Sequence, residues 1–355
     1  MKLEGIIKKE ILGQTAYPID SRTCRVKLDA NENPYPLPAG LREKIDDSIH
    51  AIPFNRYPQA GSPDMRSAVA GNLGVDEDAI LVGNGSDELI QILLTAVGPG
   101  TSGTVMIPTP TFAVYKIVAV NTDHTVVEVP LDDRFDLPLD RMLDSISKER
   151  PAITFLSFPN NPTGNCFDEG KVRAIIEASP GIVVVDEAYY HFSKQTFLPL
   201  RERWDNLVIL RTLSKVGLAA LRLGIMIAHP SLIHQLNKVR LPYNLNMVSQ
   251  VVGRFFFDNE EDFLLHVDDI IAEREWLLSE LGDIEGIVPY PSDANFILFS
   301  CQGDKNGVYE GLIQRDVLIK SFPPSGPLKD CMRVTVGRAE ENREFIKALR
   351  DVTVP

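Results

Sequence analysis

The sequence predicts an α/β fold, with a large domain built on a mostly parallel sheet flanked by helices and a smaller α+β domain. Short apolar runs alternate with amphipathic stretches between residues 79 and 240, which is the pattern of strands joined by crossover helices. Two of these runs, residues 182–185 and 207–210, are apolar throughout, as expected for strands that are buried on both faces of a sheet. No internal repeat interrupts the alternation.

The elements divide the chain into three predicted parts. Residues 1–40 form an arm whose proline-rich end, residues 31–38, favours extended structure over helix. Residues 41–242 form the large domain, which opens with an amphipathic helix. Residues 243–355 form the small domain, predicted from helical or strand patterns at residues 263–281, 295–299, 317–319, 332–336 and 340–349.

The composition indicates a globular cytoplasmic protein. The net charge of −13, from 36 basic and 49 acidic residues, argues against nucleic acid or an anionic membrane surface as a principal partner. No apolar run reaches the length of a membrane span, and no signal-peptide pattern follows Met1. The four cysteines lack zinc or disulfide spacing and the six histidines do not cluster with carboxylates, so no metal site is predicted.

A lysine and an aspartate each follow one of the apolar strands. Lys215 comes just after the strand at 207–210, and Asp186 ends the strand at 182–185. Ligand sites in open α/β sheets lie at the carboxyl ends of strands. A neutral lysine amine attacks carbonyl groups, whereas a buried carboxylate needs a cation or strong donor. A surface turn for Lys215 and a helix cap for Asp186 are the structural alternatives.

Two further features point to anions. Strand, glycine turn and helix start at residues 79–97 bring unpaired N–H groups and a helix dipole together around Gly85, Ser86 and Asp87. The turn is neither a Walker loop nor a dinucleotide fingerprint, and Ser86 or Asp87 could act only as an N-cap. Arg333 lies in an apolar strand, where its fork fits a carboxylate or a phosphate. A structural salt bridge is the alternative for Arg333.

Taken together, these motifs resemble the pyridoxal-phosphate-dependent aminotransferases of fold type I, most closely the histidinol-phosphate aminotransferase branch. The matching residues occur in a fixed order along the chain, and the resemblance runs from about residue 17 to the C-terminus. The motifs are residues 84–87, residues 160–164, residues 186–189, Ser214-Lys215 with Arg222, and Arg333.

The resemblance implies a role for each matching residue. Lys215, Asp186 and Tyr189 are the implied catalytic residues: Lys215 carries pyridoxal phosphate and moves the substrate proton, and Asp186 holds the ring nitrogen. The other implied cofactor contacts are ring stacking by Phe112, hydrogen bonds from Asn161 and Tyr189 to the phenolic oxygen, and phosphate contacts from Gly85, Ser86, Asp87, Ser214, Arg222 and the Tyr57 of a second chain. The implied substrate contacts are Tyr17, Asn161, Lys320 and Arg333.

The implied protein is a homodimer with its active sites at the interface. It would convert L-histidinol phosphate and 2-oxoglutarate to imidazole-acetol phosphate and L-glutamate in histidine biosynthesis. Two departures affect this reading: Arg222 follows Lys215 by seven positions where relatives usually have eight, and Lys320 stands where a second substrate-binding arginine is expected. A lyase similar to threonine-phosphate decarboxylase, an aromatic amino acid aminotransferase and a non-catalytic regulator are the alternatives.

Overall fold

The computed structural model describes residues 3–14, 20–98 and 103–353. The predicted substrate residue Tyr17 lies outside these ranges. The described residues form twelve strands: β1 (Val26–Leu28), β2 (Ile80–Asn84), β3 (Thr104–Thr109), β4 (Thr125–Pro130), β5 (Ile153–Ser157), β6 (Ile182–Asp186), β7 (Leu207–Thr212), β8 (Leu223–Ile227), β9 (Ile287–Pro289), β10 (Phe296–Cys301), β11 (Val317–Ser321) and β12 (Cys331–Thr335).

Helices connect and cover these strands. The α-helices in the same part of the chain are α1 (Lys9–Leu12), α2 (Ala39–His50), α3 (Pro63–Leu73), α4 (Gly85–Ala96), α5 (Ala113–Asn121), α6 (Leu139–Glu149), α7 (Glu169–Ala178), α8 (Tyr190–Ser193), α9 (Pro230–Leu236), α10 (Met247–Asp258), α11 (Glu260–Phe263), α12 (Val267–Gly282), α13 (Lys305–Gln314) and α14 (Ala339–Thr353).

The larger sheet has seven strands in the order β2-β8-β7-β6-β5-β3-β4. β3, β4, β5, β6 and β7 pair in parallel, and β8 runs antiparallel to both of its neighbours. Along β6, the side chains of Val183 and Val185 belong to the core on one face of the sheet, and that of Val184 belongs to the core on the other face. Helices cover both faces, so the predicted α/β fold class is confirmed. The alternation also turns Asp186 to the face that carries Val184.

The smaller sheet has the strand order β1-β11-β12-β10-β9. Its pairs are antiparallel except β1 with β11, which places Val26 opposite Val317. The arm therefore contributes a strand to the smaller sheet. The register between β11 and β12 sets Lys320 opposite Arg333, so the two cations predicted to bind substrate are neighbours.

The region predicted to be helical at 263–281 is helical from Val267 onward, in α12, and its first residue, Phe263, is the last residue of α11. The chain leaves helical geometry between α11 and α12. Phe263 packs into the core of the larger sheet, whereas Val267 packs with Phe296 of the smaller sheet. The chain therefore turns where it passes from one core to the other. α10 also packs against α2 and α3 on the larger sheet, while the division at residue 242 stays a prediction.

Candidate active site

A cavity of about 260 Å³ opens at the carboxyl ends of β5, β6 and β7. Its size is slightly below the range of about 300–1,000 Å³ that is typical of small-molecule sites. Residues of the larger sheet, the smaller sheet and the arm all line it: Asp20, Asp29, Ala30, Asn31, Ser86, Asp87, Phe112, Ser157, Asn161, Asp186, Ala188, Tyr189, Thr212, Ser214, Lys215, Arg222, Lys320 and Arg333. Twelve of the fourteen residues predicted for the site lie here or, like Gly85, next to a lining residue.

Lys215 lies in a short 3₁₀ turn that follows β7. Thr212 caps this turn, because its hydroxyl oxygen accepts a hydrogen bond from the Ser214 N–H. The Lys215 amine donates to the Ala30 carbonyl at 3.4 Å. Burial lowers the pKa of Lys215 to about 8, with a smaller contribution from the positive charge of Arg333. A neutral amine is therefore more accessible here than at an exposed lysine.

Asp186 lines the same cavity and is 3% exposed. One carboxylate oxygen accepts a hydrogen bond from the Tyr115 hydroxyl at 2.7 Å, and the other accepts from the Ala188 N–H at 3.1 Å. Within the described chain Asp186 forms no ion pair. Burial raises the pKa of this carboxyl to about 6 even though both hydrogen bonds oppose the shift. A cationic ligand group would compensate for the desolvation of this carboxylate.

The predicted anion site around Gly85, Ser86 and Asp87, which we call the anion seat, lies at the first turn of α4, which begins at Gly85. Gly85 has a φ of +75°, and a Cβ there would come within 2.7 Å of the Arg222 Nη2 atom. Arg222 donates to the Ser214 hydroxyl at 3.3 Å and pairs with the Asp87 carboxylate at 3.0 Å. The shorter spacing from Lys215 therefore does not keep Arg222 away from the seat. Because the Asp87 carboxylate would repel an anion, its backbone N–H is the group suited to bind one.

Arg333 and Asn161 form the other end of the cavity. The buried guanidinium of Arg333 donates to the Asn161 side-chain oxygen at 2.6 Å and to the Asp29 carbonyl at 2.9 Å. Since this oxygen accepts from Arg333, the Asn161 amide group is turned to donate. Lys320 lies beside Arg333, and burial followed by the charge of Arg333 lowers the pKa of Lys320. The pair gives this end a concentration of positive charge.

Two aromatic side chains complete the walls. Phe112 lies edge-on to Tyr115, with ring centroids 5.4 Å apart. The Tyr189 hydroxyl accepts a hydrogen bond from the Asn31 amide at 2.9 Å, which orients the hydroxyl for donation. Asn31 has a φ of +55°, a left-handed conformation that asparagine tolerates better than most residues. The arm therefore helps to order Tyr189.

Tyr57 is the described site residue that the structure does not bring to this cavity. Its side chain is 79% exposed and stacks on Tyr243, with ring centroids 4.8 Å apart.

In the described ranges, no group of three or more His, Cys, Asp or Glu side chains is arranged to hold a metal ion. No helix there has the length and apolar character required to cross a membrane.

Sequence reasoning missed several residues of this site, and four of them have side chains at or beside the predicted residues. Tyr115, Asn31, Asp29 and Thr212 contact predicted site residues through the hydrogen bonds described above or line the cavity. Tyr115 had a sequence signal, since it lies three positions after Phe112 and therefore near the same face of a helix. Asn31 and Asp29 carried none, because their neighbours in space are distant in the chain.

An amine, a buried carboxylate and an anion seat that line one cavity suit cofactor-assisted chemistry at an amino or keto acid. Comparison with known proteins gives the family. The aminotransferase class I and II family profile matches residues 25–349, and the chain belongs to this family.

Individual proteins agree with this membership. The chain is 38% identical over 348 residues to the histidinol-phosphate aminotransferase of Aquifex aeolicus, covering 98% of each chain. It is 42% identical to histidinol-phosphate aminotransferase 2 of Nitrosococcus oceani, covering 97% of this chain and 96% of that one. A solved structure of histidinol-phosphate aminotransferase from Sinorhizobium meliloti in complex with pyridoxal-5′-phosphate has a TM-score of 0.87 and 22% identity over 98% of both chains.

Proposed function

We propose that this aminotransferase uses pyridoxal 5′-phosphate to transfer the amino group of L-histidinol phosphate to 2-oxoglutarate. The observation that carries the proposal is that Lys215, Asp186 and the anion seat line one cavity. The residues fit the cofactor: Asp186 is a buried carboxylate suited to a protonated ring nitrogen, and Gly85 leaves room for a phosphate beside Arg222. Relatives that are named histidinol-phosphate aminotransferases at 38% and 42% identity support the substrate.

Each residue has a defined task in this proposal. When bound, the cofactor supplies an aldehyde to the Lys215 amine and an electron-withdrawing ring to the substrate. The Lys215 amine would hold the cofactor and, once the amino substrate had taken its place, would move the proton of the substrate Cα. Asp186 keeps the ring nitrogen protonated. Asn161 and Tyr189 donate to the phenolic oxygen, Phe112 stacks on the ring, and Ser86, Ser214 and Arg222 hold the phosphate.

Arg333 and Lys320 are the proposed substrate anchors. The Arg333 guanidinium binds the carboxylate of glutamate or 2-oxoglutarate in one half-reaction and the phosphate of histidinol phosphate in the other. Lys320 adds a second positive charge but lacks a fork, so we expect it to contribute charge rather than orientation. Tyr17, which follows the family resemblance alone, remains a predicted contact to substrate.

The test is an assay of the purified protein with its cofactor. We expect L-glutamate to accumulate from 2-oxoglutarate when L-histidinol phosphate is the amino donor. Release of carbon dioxide from threonine phosphate without glutamate formation would instead identify a lyase. Faster transfer from phenylalanine or tyrosine would identify an aromatic aminotransferase. A protein that develops no yellow colour with pyridoxal phosphate would be a non-catalytic relative.

Replacing Gly85 by alanine should weaken cofactor binding. The added Cβ would meet Arg222 Nη2 at 2.7 Å, and a φ of +75° is strained for alanine. Displacing one charged hydrogen-bond donor costs about 1.5–3 kcal/mol, so we expect the dissociation constant to rise by about 10-fold or more. Fluorescence titration with pyridoxal phosphate measures it. Gly71→Ala, in α3 where a Cβ meets nothing within 4 Å, is the matched control, and equal affinities for the two variants would contradict this account.

We further propose that the protein is a homodimer in which Tyr57 completes the partner's active site. Phe54, Tyr57 and Tyr243 line one surface cavity, and Phe54 and Tyr57 are more than 70% exposed. Exposed apolar patches of this kind mark interfaces. Sedimentation should give twice the mass of one chain. Mixing Lys215→Ala with Tyr57→Ala protein should restore one intact site per mixed dimer, whereas activity no higher than that of either parent would exclude a shared site. The cytoplasmic location also remains a prediction.

A further inference from the structure

Tyr115 has no part in the reaction as described so far, yet its side chain is held tightly beside the cavity. It is completely buried. Its ring stacks on Phe155 with centroids 4.6 Å apart and an interplanar angle of 9°, and Phe112 packs edge-on against it. These aromatic contacts fix the direction of the hydroxyl. The hydroxyl points at the Asp186 carboxylate, 2.7 Å away.

In the hydrogen bond between Tyr115 and Asp186, the tyrosine hydroxyl is the donor. Burial raises the pKa of Tyr115 well above that of a free tyrosine, and the negative charge of Asp186 adds to this shift. The phenol therefore remains a donor, and Asp186 accepts. Donation favours the charged form of a carboxylate. Among the influences that oppose the desolvation of Asp186, the hydrogen bond from Tyr115 is the largest, followed by that from the Ala188 N–H.

The other charged groups near Asp186 act in the opposite sense. The carboxylates of Asp87 and Glu187 both disfavour its ionisation. Arg211 forms an ion pair with Glu187 at 2.9 Å, so the Arg211 guanidinium does not compensate the charge of Asp186. Without the Tyr115 hydroxyl, one oxygen of a buried carboxylate would lose its hydrogen-bond donor, and loss of such a bond to a charged acceptor weakens an interaction by about 10-fold or more.

We propose that Tyr115 is a positioning residue that keeps Asp186 ionised and aimed at the cofactor's ring nitrogen. The inference rests on the proposed cofactor and deepens it. Tyr115 acts through Asp186 and touches neither the substrate nor the reacting atoms, so its effect is specific to ligands that present a ring nitrogen.

The test compares two ligands on the Tyr115→Phe variant: pyridoxal 5′-phosphate and its deaza analogue, in which carbon replaces the ring nitrogen. We expect the variant to bind pyridoxal phosphate about 10-fold more weakly, from the hydrogen-bond cost given above, and to bind the analogue within about 3-fold of the wild type. Tyr290→Phe removes a hydroxyl in the smaller sheet, away from the cavity, and should change neither affinity. A similar loss for both ligands, or no loss for either, would overturn the proposal.

A double variant keeps the test decisive if Tyr115→Phe alone does not fold. Asp186→Asn removes the buried charge that Tyr115 serves, so Asp186→Asn/Tyr115→Phe is relieved of the unpaired carboxylate. In the Asp186→Asn background, loss of the Tyr115 hydroxyl should leave pyridoxal phosphate affinity within about 3-fold, since a coupled pair is non-additive. A further 10-fold loss there would overturn the proposal. Failure of the wild type to bind pyridoxal phosphate would instead overturn the cofactor assignment itself.

Discussion

Lys215→Ala is expected to abolish turnover, lowering kcat by about 10⁴-fold or more, because one side chain supplies both the covalent attachment and the proton transfer. The cavity offers no replacement amine of the same reach: Lys320 lies on β11 beside Arg333, at the end proposed to anchor the substrate. Borohydride reduction followed by mass spectrometry should find the cofactor fixed to residue 215 in the wild type and to no residue in the variant.

The pH dependence of attachment provides a second readout. Because burial lowers the pKa of Lys215 to about 8, the neutral amine becomes the main form above that pH. The initial rate of attachment should therefore rise with pH to a midpoint near 8 rather than near the value of an exposed lysine, about 10.4. Lys148→Ala, whose side chain is 67% exposed on α6, should behave as the wild type. Substantial turnover by Lys215→Ala would refute the assignment.

Residues at strand ends could be predicted from the sequence because a strand of apolar residues fixes where its last side chain lies. Asp186 ends β6 and Lys215 follows β7. These strands are paired neighbours, so the parallel arrangement brings both residues to one edge of the sheet. Gly85 and Ser86 were predictable for a similar reason, since a strand, a glycine turn and a helix start define an anion seat locally.

The remaining features depend on packing between distant segments. Asn31 reaches Tyr189 across 158 positions of sequence, and no local pattern encodes that contact. β8 is as apolar as the parallel strands of the sheet, so the sequence pattern could not show that it runs in the antiparallel direction. The sequence likewise did not show whether the short spacing between Lys215 and Arg222 would keep Arg222 away from the anion seat. The structure shows that the chain adopts a φ of +51° at Arg222 and delivers the side chain to Ser214.

Asp186→Asn is expected to impair catalysis and, at neutral pH, to stabilise the cofactor-free protein. A neutral amide cannot hold the ring nitrogen in its protonated form, and loss of one preorganised electrostatic contact lowers kcat by about 10²–10³-fold. The same replacement removes a charge that is 3% exposed. Because that charge has no cationic partner among the described residues, its removal relieves a desolvation cost in the folded state.

The sign of the stability effect follows from linkage. The pKa of Asp186 rises from 3.8 to about 6 on folding, so this group favours the folded state below about pH 4, and that contribution is lost as pH rises through about 6. A shift of roughly two units corresponds to at most about 3 kcal/mol. In urea unfolding of the cofactor-free proteins, the variant should gain on the wild type between about pH 4 and pH 6 and keep a constant advantage above that.

Cofactor should reverse this advantage. A protonated ring nitrogen supplies the cation that Asp186 lacks, so saturating pyridoxal phosphate should raise the unfolding free energy of the wild type more than that of Asp186→Asn. Asp144→Asn, an exposed replacement on α6, should change stability by about 0.5 kcal/mol or less at every pH. If Asp186→Asn were less stable than the wild type at pH 8 without cofactor, the carboxylate would be contributing to the fold itself. Its burial could then no longer be explained by the ligand that it is placed to meet.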